Sequence, residues 1–272
     1  MNLLSAEWFD PDRGPVLVGL LVVLAAVFFF VRRGRRGETP RIREIPGLTA
    51  VEEAVGRATE MGRPLLYTSG VGDIRAPGVL ASIGILGWVA ELVARHRADL
   101  RYPVNNALNL AIGQQVVRDA YLRAGRLEDY RDDMVYFISA RQFAYAAAVV
   151  GTMERERTAA HLFFGSFWSE TLILTESGAA TGAMQIAATD SEHQLPFFVA
   201  TCDHVIIGEE LYAASAYLTR DPEIVGTLQG QDFLKALLLV LLLVGTGLAT
   251  WQALDDGANL EVVFRWLSGG GR

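Results

Sequence analysis

Six short apolar runs, each ending at a polar corner and followed by a segment of helical periodicity, predict an α/β fold on an open, parallel, Rossmann-like sheet. Two long apolar blocks, residues 16–31 and 233–254, predict a transmembrane helix on either side of that sheet. The rhythm is clearest between residues 154 and 210. There the runs 161–164, 184–187 and 204–207 alternate with segments rich in Ala, Gly, Ser and Thr. Their corners are Gly165-Ser166, Thr189-Asp190-Ser191-Glu192 and Gly208-Glu209-Glu210.

Residues 1–14 form a short acidic and aromatic N-terminus, with Trp8 and Phe9 suited to a membrane interface. The first apolar block spans about 24 Å as a helix, somewhat less than a hydrocarbon core of about 30 Å. Acidic residues precede it and Arg32, Arg33, Arg35, Arg36, Arg41 and Arg43 follow it, the wrong polarity for a cleaved signal peptide. The first helix, taken as 15–31, is therefore expected to be an uncleaved anchor, N-terminus outside and arginines in the cytoplasm. Residues 32–48 read as a basic linker and 49–228 as the cytoplasmic domain. After a second linker at 222–231, residues 233–254 read as the second span. An extracytoplasmic tail, 255–272, carries Leu260, Val263, Phe264 and Leu267 at amphipathic spacing, with Phe264 and Trp266 expected to rest on the bilayer.

Within the domain, Thr49-Ala50-Val51-Glu52 reads as a capping box opening a helix that closes at Gly62. Strands are expected at 64–68, 100–104, 134–138, 161–164, 184–187 and 204–207. The intervening helices are 77–95, 108–124, 143–153, 169–177 and, after the last strand, 209–218. Ser139-Ala140-Arg141-Gln142 and Thr189-Asp190-Ser191-Glu192 read as two further capping boxes.

The chain has 272 residues, 51% of them hydrophobic, a net charge of −7 and a single cysteine. An acidic balance without a basic, aromatic-interleaved patch argues against nucleic acid as a partner. Cys202 alone makes neither an intrachain disulfide nor a cysteine-based metal site, and its apolar neighbours suit a small buried hydrophobe. The four histidines, His96, His161, His193 and His204, show no metal-binding spacing, and no Gly-x-Ser-x-Gly elbow accompanies them. No metal site is expected and no catalytic residue is assigned.

Open parallel sheets bind ligands beyond the carboxyl ends of their strands. That edge would gather Ser69, Gly70, Gly72, Asp73, Asp190 and Glu192, the candidate ligand-binding residues. Asn105, Asn106, Ser139, Arg141, Ser166, Ser169, Glu170, Glu209 and Glu210 would lie around them. Helix capping accounts for the same residue types. Gly70-Val71-Gly72 is the nearest approach to a phosphate loop. The dinucleotide fingerprint fails at Arg75 and at Pro77, which interrupts the helix entry, and a tight turn explains the glycines better. The small-residue stretches 143–150 and 177–182 permit close helix packing, within the fold or at a subunit interface.

Four segments carry a resemblance: RIREIPGL, YTSGVGDI, the long stretch from FAYAAAVVGTMERERTAAHLFFGSFW to TDSEHQLPFF, and CDHVIIGEELYAASAYL. Over residues 41–243 the chain resembles an uncharacterised prokaryotic family of two-span membrane proteins, a domain of unknown function. The resemblance implies the two-span topology and a Rossmann-like cytoplasmic domain, and brings no activity, cofactor or site residue.

The expectation is a non-enzymatic scaffold in the cytoplasmic membrane, partnered by the lipid bilayer, by further copies of itself and by membrane-complex proteins. The alternative is a domain that binds a nucleotide or other small ligand at the strand ends. No cofactor is identified.

Overall fold

In the computed structural model, residues 14–35, 45–219 and 221–254 are described. The readings placed on Trp8 and Phe9, on Arg36, Arg41 and Arg43, and on the tail after residue 254 lie outside them. The chain divides into two compact units, one joining its two ends and the other running from Arg41 to Arg220.

The second unit is the predicted sheet domain. Its elements are α2 (Pro46–Met61), β1 (Leu65–Gly70), α3 (Pro77–His96), β2 (Leu100–Val104), α4 (Ala107–Arg123), β3 (Val135–Phe137) and α5 (Gln142–Glu156). They continue with β4 (Ala160–Ser166), α6 (Thr171–Ala180), β5 (Met184–Thr189), α7 (Leu195–Thr201), β6 (His204–Ile207) and α8 (Glu210–Thr219). All strand pairings are parallel and the order is β3-β2-β1-β4-β5-β6. This is the order of doubly wound dinucleotide-binding sheets, with the reversal between β1 and β4.

Side chains alternate between two cores, as a pleated sheet covered on both faces requires. Leu65, Tyr67, Leu162, Phe164, Ile186 and Ala188 pack with α2, α3, α4 and α8. Leu66, Phe163 and Ala187 pack with Tyr145, Val149, Leu174 and Phe198 of α5, α6 and α7.

The helix boundaries differ from the sequence expectation for identifiable reasons. Pro46 occupies the first turn of α2, so Thr49 lies inside the helix and no capping box forms there. Pro77 likewise starts α3 and does not interrupt it. Ser139 Oγ accepts from Arg141 N–H (3.1 Å) and Thr189 Oγ1 from Ser191 N–H (3.2 Å), local turns that use up the hydroxyls expected to cap. A side-chain cap does form at Asn106, whose Oδ1 accepts from Asn109 N–H at 2.8 Å to open α4.

The other unit pairs α1 (Gly14–Arg35) with α9 (Pro222–Leu254). Arg32, Arg33 and Arg35 belong to the last turn of α1, and residues 222–231 are helical, not a linker. The helices run antiparallel: Arg35 pairs with Glu223 at 2.5 Å, and the rings of Phe30 and Phe233 stand 5.6 Å apart. Gly226 and Gly230, four residues apart, face Val31 and Val27. A Cβ on Gly226 would fall 2.7 Å from Val31 Cα. Such small-residue spacing lets helix backbones approach closely.

Three helical segments among the described residues are long and apolar enough to cross a membrane: Val16–Arg35, Pro77–His96 and Glu223–Trp251, with mean hydropathies of 2.4, 1.7 and 2.2. Two were expected. The third is α3, whose apolar window is 61% buried inside the sheet unit, while that of Glu223–Trp251 is 0% buried. Its apolarity reflects coverage by the sheet, α2, α4 and α8.

Candidate functional site

The carboxyl ends of β1 and β4 bring the first four candidate residues together, in a crevice that the chain fills itself. Gly70 has φ +75°, and a Cβ there would stand 2.3 Å from Ser166 O. Gly72 N–H donates to that same carbonyl at 3.3 Å. From the opposite strand, a Cβ on Gly165 would meet Ser69 O at 2.3 Å. The glycines are thus required by the approach of two strand ends, where a bulge shifts the register between Thr68 and Gly70. Ser69 is buried with its Oγ 2.9 Å from the Tyr102 hydroxyl. Asp73 is exposed, and its Oδ1 accepts from Arg75 N–H at 2.9 Å, holding a turn.

Asp190 reaches the same crevice from the end of β5, and Glu192 does not. Glu192 is exposed on the following loop. The Asp190 carboxylate lies over the amino end of α3, where a Cβ on Gly78 would meet its Oδ1 at 2.6 Å. Ser166 Oγ donates to Oδ1 at 3.4 Å and the Tyr212 hydroxyl to Oδ2 at 2.6 Å. Burial, and then this bond, raise the Tyr212 pKa, so its phenol stays protonated and donates. The N-cap residue of α3, Ala76, offers no side-chain cap. Asp190 therefore supplies the negative charge that a helix amino terminus favours, in the place where doubly wound folds seat a phosphate.

Glu170, named among the strand-end residues, is fully buried. Its carboxylate accepts from Gln142 Nε2 at 2.6 Å and from Trp168 N–H at 3.1 Å, tying the start of α5 to the β4–α6 corner. Beside it the Tyr145 hydroxyl donates to Pro103 O and meets Thr68 Oγ1 at 2.5 Å. Asn105 Nδ2 donates to Val71 O at 2.8 Å and Asn105 Oδ1 accepts from Asn106 and Asn109. Arg141, Ser169, Glu209 and Glu210 are exposed at the rim. The sequence missed Gly78 in the first turn of α3 and three tyrosines, Tyr102, Tyr145 and Tyr212, on helices or strands that motif spacing does not single out.

At the opposite end of β4 and β5 lies a second polar group. His161 and Gln185 are register partners, both buried, beneath Gly178 of α6. His161 Nε2 is 2.6 Å from Thr158 Oγ1. Its Nδ1 and Gln185 Oε1 are each without a hydrogen bond. Burial pulls the His161 pKa from 6.5 down to about 4, against a smaller upward pull from Gln185. Burial likewise pushes the Cys202 thiol up to about 12, which fits a packed hydrophobe and not a nucleophile.

The family model described as Domain of unknown function (DUF6754) matches residues 4–259. The chain belongs to that family. No curated protein and no solved structure matches it. For this member of DUF6754 the parallel sheet and its strand-end crevice therefore stand on the geometry alone.

Proposed function

We propose that the chain is a membrane-anchored, non-enzymatic scaffold whose sheet unit self-associates and organises a membrane complex. In this reading α1 and α9 cross the cytoplasmic membrane of a prokaryotic cell, with both termini outside and the sheet unit in the cytoplasm. The observation that carries it is the state of the carboxyl edge. The crevice is occupied by the Ser166 backbone and the Asp190 carboxylate, while large apolar side chains stand exposed around it. Trp168 is 63% and Phe143 59% exposed, and Leu108, Phe137 and Ile207 are exposed at neighbouring strand ends and helix starts. Exposed aromatic and aliphatic groups rimming a closed crevice suit a protein partner better than a small substrate. The arginines closing α1 support the orientation, and the antiparallel packing of α1 on α9 suits two spans joined on one side of a bilayer.

Native mass spectra of the full chain in mild detergent test the association: a discrete oligomer is expected, dispersed by Trp168→Glu with Phe143→Glu. A strict monomer at every concentration refutes it. Topology is tested in a Cys202→Ser background, where an impermeant thiol reagent should label Ser268→Cys in intact cells and leave Asp73→Cys unlabelled.

A second reading has one observation in its favour, the strand order that places a crevice between β1 and β4. A small ligand there would have to displace Asp190 from the start of α3. A stoichiometric adduct in the same spectra, lost in Asp73→Ala and Asp190→Ala, would select it.

A further inference from the structure

The close contacts between α1 and α9 fix which residues of the two helices stand level. Arg35 pairs with Glu223, Val31 lies against Gly226 and Val27 against Gly230. The helices advance together in opposite senses, which places Asp232 and Lys235 level with Ala25 and Val22. Those two residues lie within the uncharged stretch of α1 from Val16 to Val31, and Arg32 marks its polar end. At 1.5 Å per residue, Asp232 stands about 10 Å and Lys235 about 15 Å past the Arg32 level, the second near the centre of a core of about 30 Å. The same measure carries the core along α9 to about Gly245 and leaves the exposed Trp251 at the far interface, where tryptophan is favoured. Setting Lys235 at the boundary instead would lift Val22 to Val31 into water, with Phe28 and Phe29 exposed.

Lys235 follows Gln231 by four residues and Asp232 by three, so the three side chains share one face of α9. All three are exposed, on the side away from Gly226 and Gly230, which meet α1. Ionisable groups at that depth are costly against lipid and are ordinarily met by groups of another helix.

We propose that this face of α9 is a transmembrane contact between two copies of the chain, Asp232 of each copy pairing with Lys235 of the other. The pattern is self-complementary. Under a two-fold axis along the membrane normal, each carboxylate meets an ammonium three residues along the neighbouring helix. The Gln231 amides then face one another across the axis and can bond there, as polar side chains do between membrane helices. The contact rests on the two-span, self-associating reading above and adds a second surface to it, apart from Trp168 and Phe143.

The test uses the full chain, in mild detergent and in membranes isolated from expressing cells. In native mass spectra Asp232→Lys should raise the concentration at which the oligomer forms by about tenfold or more, since like charges then face one another. Adding Lys235→Asp reverses the pair and should restore assembly. With the native charges kept, Gln231→Cys in a Cys202→Ser background should form a covalent dimer when membranes are oxidised. Val240→Cys, exposed half a turn around the same helix, should form far less. The proposal falls if Asp232→Lys leaves assembly unchanged, if the reversed pair fails to restore it, or if Gln231→Cys gives no more dimer than Val240→Cys. An oligomer dispersed by Trp168→Glu with Phe143→Glu but unmoved by Asp232→Lys would strike this contact and leave the association itself standing. A strict monomer would strike both.

Discussion

Lowering the pH should destabilise the sheet unit through His161, and by an amount its environment sets. The ring is buried against Gln185, Thr158 and Gly178, and no carboxylate faces it. Its pKa falls from 6.5 to about 4 because burial penalises the charged imidazolium. The unfolded chain takes up a proton near pH 6.5 that the folded chain refuses until about pH 4. This contribution is therefore complete above pH 6.5 and is lost as the pH falls through that window. At about 1.4 kcal/mol for each pH unit separating the two values, the loss approaches about 3 kcal/mol. Carboxylates titrate in the same range, so the diagnostic quantity is the difference between the wild type and His161→Gln, which keeps a polar side chain and removes the proton site. Urea unfolding of the full chain in mild detergent, followed by circular dichroism from about pH 7 to about pH 4, reads it. The variant should start less stable and lose about 3 kcal/mol less across the window. Parallel pH profiles for the two proteins would refute the argument. So would imidazole NMR shifts showing His161 protonated at about pH 6 in the folded state.

Three further outcomes follow from close contacts and buried partners. A Cβ on Gly178 would stand 2.2 Å from Gln185 Oε1 and 2.8 Å from His161 Nδ1, so Gly178→Ala should cost about 1–3 kcal/mol in the same unfolding assay. Gln142→Ala removes one of the two donors to the buried Glu170 carboxylate and should cost a similar amount, about 1–3 kcal/mol. Gly226→Leu places side-chain atoms in the backbone of α1 and should lower the melting temperature of the full chain in mild detergent, whereas Gly245→Leu, which meets nothing within 4 Å, should not.

The strands were legible because parallel strands covered on both faces are continuous apolar runs. The runs 161–164 and 184–187 lie inside the buried strands Ala160–Ser166 and Met184–Thr189. Their spatial order was not legible, since the long crossover through α5 carries no local signal of where β4 will pair. Helix starts failed where two local signals competed. At Pro46 a ring already set for the first turn outweighed the Thr49 capping box. At Ser139 and Thr189 the hydroxyls bonded to N–H groups two residues on. The small residues of 177–182 read equally as packing inside the fold or between subunits. Gly178 beneath His161 and Gln185 shows at least one of them is needed inside. That requirement comes from the β4–β5 register, which sequence spacing does not contain.

The carboxyl edge shows the same limit in sharper form. Gly70 and Gly72 have the composition of a phosphate loop and Asp190 that of a helix cap, and composition alone admits both readings. What separates them is a distance between chain segments far apart: Ser166 O at the place a Cβ on Gly70 would need, and the Asp190 carboxylate over Gly78. The glycines permit close approach, and the atoms that approach belong to β4. The helix terminus attracts negative charge, and the charge that answers it is a side chain of the same fold. A fold whose crevice is filled by its own carboxylate keeps the architecture of ligand binding while turning its interactions inward. Trp168 and Phe143 stand exposed beside it, and the proposed self-association is tested at those two side chains.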